Sequence, residues 1–362
     1  MLVLRGFHHP AIAPACALTI GNFDGVHRGH QAMLALLNAE ATQRGVPSCV
    51  LTFEPHPRDY FAAALKKPEL APARVGTLRD KLSELARCGV QQTVVLRFDA
   101  QLAAQSPQAF IDEVLVRGLG TRYVLVGDDF RFGRQRAGDY ALLSSAGQSQ
   151  GFDVARMNSY EITYPQAGSG AAQPVRVSSS EVRAALAAGR MDDAAQLLGR
   201  PYAISGHVVH GRKLGRALGE ARSGAGNGFR TLNLRFAHWK PAASGIFAVW
   251  VHGLTQPPPG AACGQPLPGV ANLGIRPSVD PDDVNGGRVL LETHCLEWPA
   301  HLGDEGAYGK IIRVELMHKL HDERRYDSLE ALTAGIARDC ADARAWFAAH
   351  AQTRRQTTRD RI

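Results

Sequence analysis

Two histidines three residues apart, His27 and His30, stand in a glycine-rich stretch that reads G-N-F-D-G-V-H-R-G-H over residues 21–30. If a helix begins there, that spacing puts both imidazoles on one face. A helix N-terminus supplies free N–H groups and the positive end of its dipole, so the chemistry that fits is the holding of a phosphate. Gly21, Gly25 and Gly29 let the backbone come close to such a ligand. Three further stretches carry chemistry-bearing side chains. Residues 126–139, V-G-D-D-F-R-F-G-R-Q-R-A-G-D, mix aromatic rings with arginines. That suits a planar anionic ligand, because rings stack and guanidinium forks pair with phosphate. Residues 52–57 read T-F-E-P-H-P, and residues 177–183 read V-S-S-S-E-V-R, placing Arg183 where it can clamp phosphates one turn into a helix. Taken singly, each stretch has a plainer reading. These are polar helix caps, a solvated charged loop, a rigid proline turn and N-capping serines.

The elements that must position these residues follow from periodicity. The apolar run before Gly21 (Ala17, Leu18, Ile20) reads as a buried strand, and Met33, Leu36, Leu37 and Ala41 read as one face of the following helix. Further strands are expected at 48–53, 94–98, 123–126 and 152–154. Helices are expected at 77–88, from Ser106-Pro107 onward, and at 179–198 with a break near Gly189. Such alternation implies βαβ units and a parallel sheet, whose ligands bind at the carboxyl ends of the strands. From about Pro201 the pattern changes to short alternating runs with Gly and Pro turns. Strands are expected at 203–209, 231–236, 245–251, 269–273, 289–296 and 311–317, which suggests a small antiparallel barrel. A helix over 326–347, with Leu329, Leu332, Ile336 and Cys340 on one side, closes it. Residues 168–172 and 256–264 read as loop insertions.

A chain of 362 residues exceeds what one hydrophobic core usually serves, so two domains are expected. No apolar run of 18 residues or more exists to span a membrane, and the first 14 residues lack the apolar core of a secretory signal. Six scattered cysteines without a C-x-x-C pair read as reduced thiols of a cytosolic protein. The net charge of +7 gathers most densely in Arg354, Arg355, Arg359 and Arg361, a basic tail over 350–362 expected to be unstructured. No basic, aromatic stripe of the kind that stacks bases is visible, so the charge is read as serving anionic small molecules rather than nucleic acid. A monomer or weak oligomer is expected.

Together the four stretches resemble the H-x-G-H nucleotidylyltransferases, and specifically the bacterial bifunctional riboflavin kinase/FAD synthetases. The last stretch is similar to that family's S-S-T-x-I-R, with Ser180 in place of Thr. The resemblance implies a Rossmann-like α/β domain over 1–186 that joins FMN to ATP, giving FAD and diphosphate. It implies that His27 and His30 hold the ATP phosphates, and that Ser179, Ser180 and Arg183 grip the β and γ phosphates. Gly21, Phe23 and Gly29 would complete the ATP site. Asn22, Asp24, Phe53, Asp129, Phe130 and Arg131 would line the flavin and nucleotide sites. His27, His30 and Arg183 are thereby the catalytic candidates of this domain.

The resemblance continues, across a linker helix at 187–200, into a riboflavin kinase domain over 201–349 with a six-stranded antiparallel barrel. It rests on G-H-V-V-H-G at 206–211, G-R-A-L-G at 215–219, G-V-A-N-L-G-I-R-P-S at 269–278 and L-E-T-H at 291–294. Gly215 and Arg216 would bind ATP. The family's unbroken L-G-F-P-T-A-N-L is here interrupted by residues 220–228, and its Pro has become Arg230. Thr231 and Asn233 keep their spacing of two, so both can reach one Mg²⁺–ATP from the same face of a strand. Glu292 is the candidate general base for the ribityl hydroxyl of riboflavin. His321 and Gly335 stand where the family commonly has Arg and Gln. Two other readings stay open. One is an FAD synthetase whose kinase the insertion impairs; the other is a regulator that binds flavin and RNA.

Overall fold

The computed structural model describes residues 1–165, 172–210, 230–236, 240–257, 264–276, 288–303 and 305–359. The expected ATP residues Gly215 and Arg216, the insertion at 220–228 and most of the loops at 168–172 and 256–264 lie outside the described residues. The chain divides into two compact units. One is Met1–Pro72 with Leu78–Glu181, and the other is Ala73–Thr77 with Val182–Ile362.

In the first unit, strands β1 (Leu2–Arg5), β2 (Cys16–Ile20), β3 (Ser48–Glu54), β4 (Gln92–Arg97), β5 (Thr121–Gly127) and β6 (Asp153–Met157) form one sheet. Its order is β1-β4-β3-β2-β5-β6, with every pairing parallel. Helix α1 (Arg28–Gln43) follows β2; α2 (Pro57–Ala64) and α3 (Leu78–Arg87) lie between β3 and β4. Short α4 (Ala100–Ala104) and α5 (Pro107–Phe110), a π-helical Ile111–Gly118 and, after β5, α6 (Tyr140–Gln150) complete the wrapping. Alternation along β2 explains the two cores. Leu18 and Ile20 join Phe110, Ile111, Leu115 and Leu143 on one face, while Ala17 joins Leu34, Leu37 and Leu85 on the other. β5 sits on the opposite side of β2 from β3, so the strand order reverses between β2 and β5. That reversal opens the crevice in which doubly wound sheets bind ligands.

One expectation for this unit needs correction, and two elements went unread. On α1 the inner face is Leu34, Leu37 and Ala41, and Leu36 points outward at 51% exposure. The helix starts at Arg28, and its rotation against the sheet is set by that start, which apolar spacing alone did not fix. Strand β1 had no sequence signal because only Leu4 of its four residues is buried. A two-stranded antiparallel ribbon, β7 (Glu161–Pro165) with β8 (Ala172–Arg176), also escaped the reading.

In the second unit, α7 (Ser179–Ala187), which begins in the first, and α8 (Met191–Leu198) are separated at Gly189. Gly189 has φ +72, a conformation that ends a helix cheaply only at glycine. The barrel strands are β9 (Tyr202–Val209), β10 (Leu232–Arg235), β11 (Gly245–His252), β12 (Leu267–Arg276), β13 (Arg288–Cys295) and β14 (Ile311–His321). They close in the order β10-β13-β12-β11-β14-β9, and every pairing is antiparallel. The expected six strands are all present. Helix α9 (Leu329–Arg359) packs Ile336, Cys340, Ala343, Trp346 and Phe347 on the barrel. Leu329, expected on that inner side, is 60% exposed in the first turn. The helix also runs through Arg359, into the stretch expected to be unstructured; Ala, Arg and Gln favour helix intrinsically.

Candidate active sites

The turn 21–27 links β2 to α1 at the carboxyl edge of the sheet. His27 is the N-cap of α1, and its Nδ1 accepts a hydrogen bond from the His30 amide at 3.3 Å. The two rings stack with centroids 3.6 Å apart. The helix-cap reading of His27 is therefore realised, and the cap leaves its ring beside that of His30. Nδ1 of His30 is sealed from solvent and has no hydrogen-bond partner among the described residues. His30 is held well below the ordinary imidazole value, chiefly by burial, with His27 and Lys81 adding repulsion. The ring is thus neutral near pH 7.

The turn is strained. Phe23 and Val26 adopt φ of +48 and +41, and both are buried. A β-branched residue in the left-handed region is a genuine outlier, and such strain concentrates at functional sites. Gly29 sits in close approach, because a Cβ there would lie 3.3 Å from the His27 ring and 3.4 Å from the Val177 carbonyl. Val177 brings the serine stretch in. Ser179 Oγ donates to the Asp24 carbonyl at 2.9 Å, joining two motifs 155 residues apart. Ser178 caps α7 by accepting from the Glu181 amide, and Ser180 is exposed. Arg183 donates from Nε to the Ala73 carbonyl at 2.7 Å.

The loop 127–139 leaves β5 on the other side of the strand reversal. Phe130 stacks on Phe132 at 5.4 Å, and Arg131 pairs with Asp139 at 3.3 Å. Asp129 is exposed, whereas Asp128 bonds to Ser159 and Arg176 and is held below the usual carboxylate range, chiefly by the Ser159 hydroxyl. Phe53, at the end of β3, is half-buried and meets Phe98 edge-on. Phe23 is 2% exposed with its ring 4.9 Å from that of His30, so it forms the wall behind the imidazole.

In the barrel, register aligns three side chains. Asn233 on β10 is paired with Glu292 on β13, and Glu292 with Asn272 on β12. Directly paired residues share a face, with Cβ atoms about 5 Å apart. Asn233 is buried and its amide nitrogen donates to the Thr231 carbonyl at 3.3 Å. Oδ1 of Asn272 is sealed without a hydrogen-bond partner among the described residues. Arg230, which precedes Thr231, is tethered. Its guanidinium donates to the Gly303 carbonyl and lies 5.4 Å from the Trp298 ring, and its own carbonyl meets His294 Nδ1 at 2.9 Å.

Residues 9–169 match the FAD synthetase family model, and residues 198–347 match the riboflavin kinase model. The chain is 43% identical to the bifunctional riboflavin kinase/FMN adenylyltransferase of Escherichia coli (strain K12), over 96% of this chain and 98% of that protein. The chain belongs to this bifunctional family. The Pseudomonas fluorescens member is 40% identical over 95% of this chain and 97% of its own. A solved structure titled a macrolide-efflux protein from Streptococcus pneumoniae aligns with a TM-score of 0.66, over 96% of this chain and all of that one. At 22% identity it speaks for the fold alone. Among the described residues, no helix is long and apolar enough to cross a membrane.

Within the family frame, the fold gathers His27, His30, Asn22, Asp24, Gly29 and Ser179 at one turn. It sets Asn233 beside Glu292, and it puts Asp129, Phe130 and Arg131 on the loop after β5. Lys81 was not picked out, and Asn272 was quoted within the 269–278 stretch without a role of its own. A lysine in an amphipathic helix carries no signal until its burial is known, and the place of Asn272 beside Glu292 needs the register. At the two departures in the closing region, His321 Nε2 meets Asp339 at 2.8 Å, and Tyr326 packs over Gly335.

Proposed function

We propose that this chain phosphorylates riboflavin on its barrel and adenylylates the resulting FMN on its sheet unit, as its relatives' names state for them. What supports the second step most directly is the Ser179–Asp24 hydrogen bond, which brings two phosphate-suited motifs to one turn at the sheet's crevice. In that step the FMN phosphate oxygen attacks the α-phosphorus of ATP and diphosphate leaves. Transfer of this kind depends on positioning and on stabilising charge. His27 and His30 would hold the ATP phosphates with the N–H groups that open α1. Ser179, Ser180 and Arg183 would grip the departing diphosphate, and the loop after β5 would carry the flavin.

In the kinase step, Glu292 would accept the proton of the ribityl hydroxyl as its oxygen attacks the γ-phosphate. The oxygen-rich row Asn233–Glu292–Asn272, with its unpartnered Asn272 oxygen, fits a hard cation. Thr231 and Asn233 would hold Mg²⁺, which offsets phosphate charge when bound. The tether on Arg230 keeps the start of β10 in place beside the insertion, which favours a working kinase. A cytoplasmic monomer or weak oligomer that takes only small molecules completes the proposal.

Purified protein incubated with riboflavin, ATP and Mg²⁺ should yield FMN and then FAD by chromatography. FAD from supplied FMN but none from riboflavin would indicate an impaired kinase. Salt-sensitive RNA binding with neither product would overturn the proposal.

A further inference from the structure

Beneath the histidine turn lies a cation that no motif announced. Lys81 is on α3, yet it is only 4% exposed. Its ammonium donates to Thr52 Oγ1 at 3.3 Å. That hydroxyl, wholly buried, donates onward to the Asn22 carbonyl at 3.4 Å. A relay thus runs from helix α3 through strand β3 to the first residues of the strained turn. Burying an ammonium is costly, and surface positions on a short amphipathic helix are the usual place for lysine. The turn it reaches holds Phe23 and Val26 at positive φ, a conformation that persists at such residues only where surrounding contacts impose it. Asn22 Oδ1 and His30 Nδ1, on either side of those residues, are both sealed and lack hydrogen-bond partners among the described residues.

We propose that Lys81 is a positioning residue for adenylyl transfer, acting through Thr52 to fix the Asn22 carbonyl and hence the turn that aims His27 and His30 at the nucleotide phosphates. This rests on the adenylyltransferase reading of the site. The same charge helps to keep His30 neutral, in concert with burial and His27. A turn held from below does not have to reorganise as the transferred phosphorus changes charge, so the benefit falls on the rate of the step more than on ATP binding.

The test uses the full chain, with FMN adenylylation measured in Lys81→Met, Lys81→Arg, Thr52→Val and the Lys81→Met/Thr52→Val pair, alongside thermal unfolding. Lys81→Met should lower kcat by about tenfold or more while KM for ATP changes far less. Thr52→Val should lower kcat in the same direction, and Lys81→Arg should recover part of the loss. The double variant should be little worse than Lys81→Met, because both act on one relay. Effects of the two substitutions that multiply independently would overturn the relay. So would kcat within about twofold of the parent in either folded single variant. If Lys81→Met does not fold, Thr52→Val decides, since it keeps the branched shape and exchanges the hydroxyl for a methyl that can neither accept from Lys81 nor donate to Asn22. Failure of the parent chain to make FAD counts against the adenylyltransferase reading instead, which separates the two outcomes.

Discussion

In the proposed adenylyl step, His30 carries the sharpest test. Its ring is stacked on His27 and backed by Phe23, and its Nδ1 is sealed from solvent without a hydrogen-bond partner among the described residues. His30→Ala should leave riboflavin phosphorylation intact and slow FAD formation tenfold or more, about 1.4 kcal/mol per decade. Product ratios from one incubation measure both. The depressed basicity of His30 also makes a stability prediction. A group whose folded pKa lies below its unfolded value binds fewer protons when folded. The stability it confers is therefore complete above the ordinary value of 6.5 and declines as the pH falls from there toward the folded pKa. Urea midpoints followed by circular dichroism should fall between pH about 7.5 and 5.5, and His30→Gln should flatten that dependence. An unchanged slope in His30→Gln would assign the acid sensitivity to other groups.

Among the elements, the start of α7 acts as a strap on the turn after β2. Ser179→Ala removes its hydroxyl from the Asp24 carbonyl. Loss of one such bond costs about 0.5–1.5 kcal/mol. The expected outcome is a small drop in thermal stability with a larger rise in KM for ATP in FAD formation. Unaltered kinetics would mean that the strap is structural only. The barrel is organised by register, since the pairing of β13 with both neighbours places Glu292 between two asparagines. That row was half legible. The L-E-T-H and T-L-N stretches marked Glu292, Thr231 and Asn233, while Asn272 stood in a recognised stretch whose alignment with Glu292 came only with the register of β12. Helix α1 shows the same limit, because apolar spacing found the helix but chose Leu36 over Leu34 for its inner face.

For the whole molecule, two units with separate sites predict that the activities come apart. Glu292→Gln should lose FMN formation from riboflavin while still adenylylating supplied FMN. His30→Ala should do the reverse. Mixed together, the two variants should make FAD from riboflavin through free FMN. If the mixture stays inactive while each variant keeps its own activity, FMN does not pass freely between molecules.

The sequence by itself determined the alternation of strand and helix, the change to a barrel near Pro201 and the residues of the phosphate motifs. These are local properties, written in period, turn residues and spacing. Only the tertiary structure decided the strand order that opens the crevice between β2 and β5. It also decided the 2.9 Å link from Ser179 to Asp24, the alignment of Asn272 with Glu292, and the burial of Lys81 under the turn. Each of these joins segments distant in the chain, and no local period carries the free energy that selects one such pairing over another. The histidine pair could be read as a phosphate holder from its spacing; what fixes its aim comes from strands and helices elsewhere in the fold.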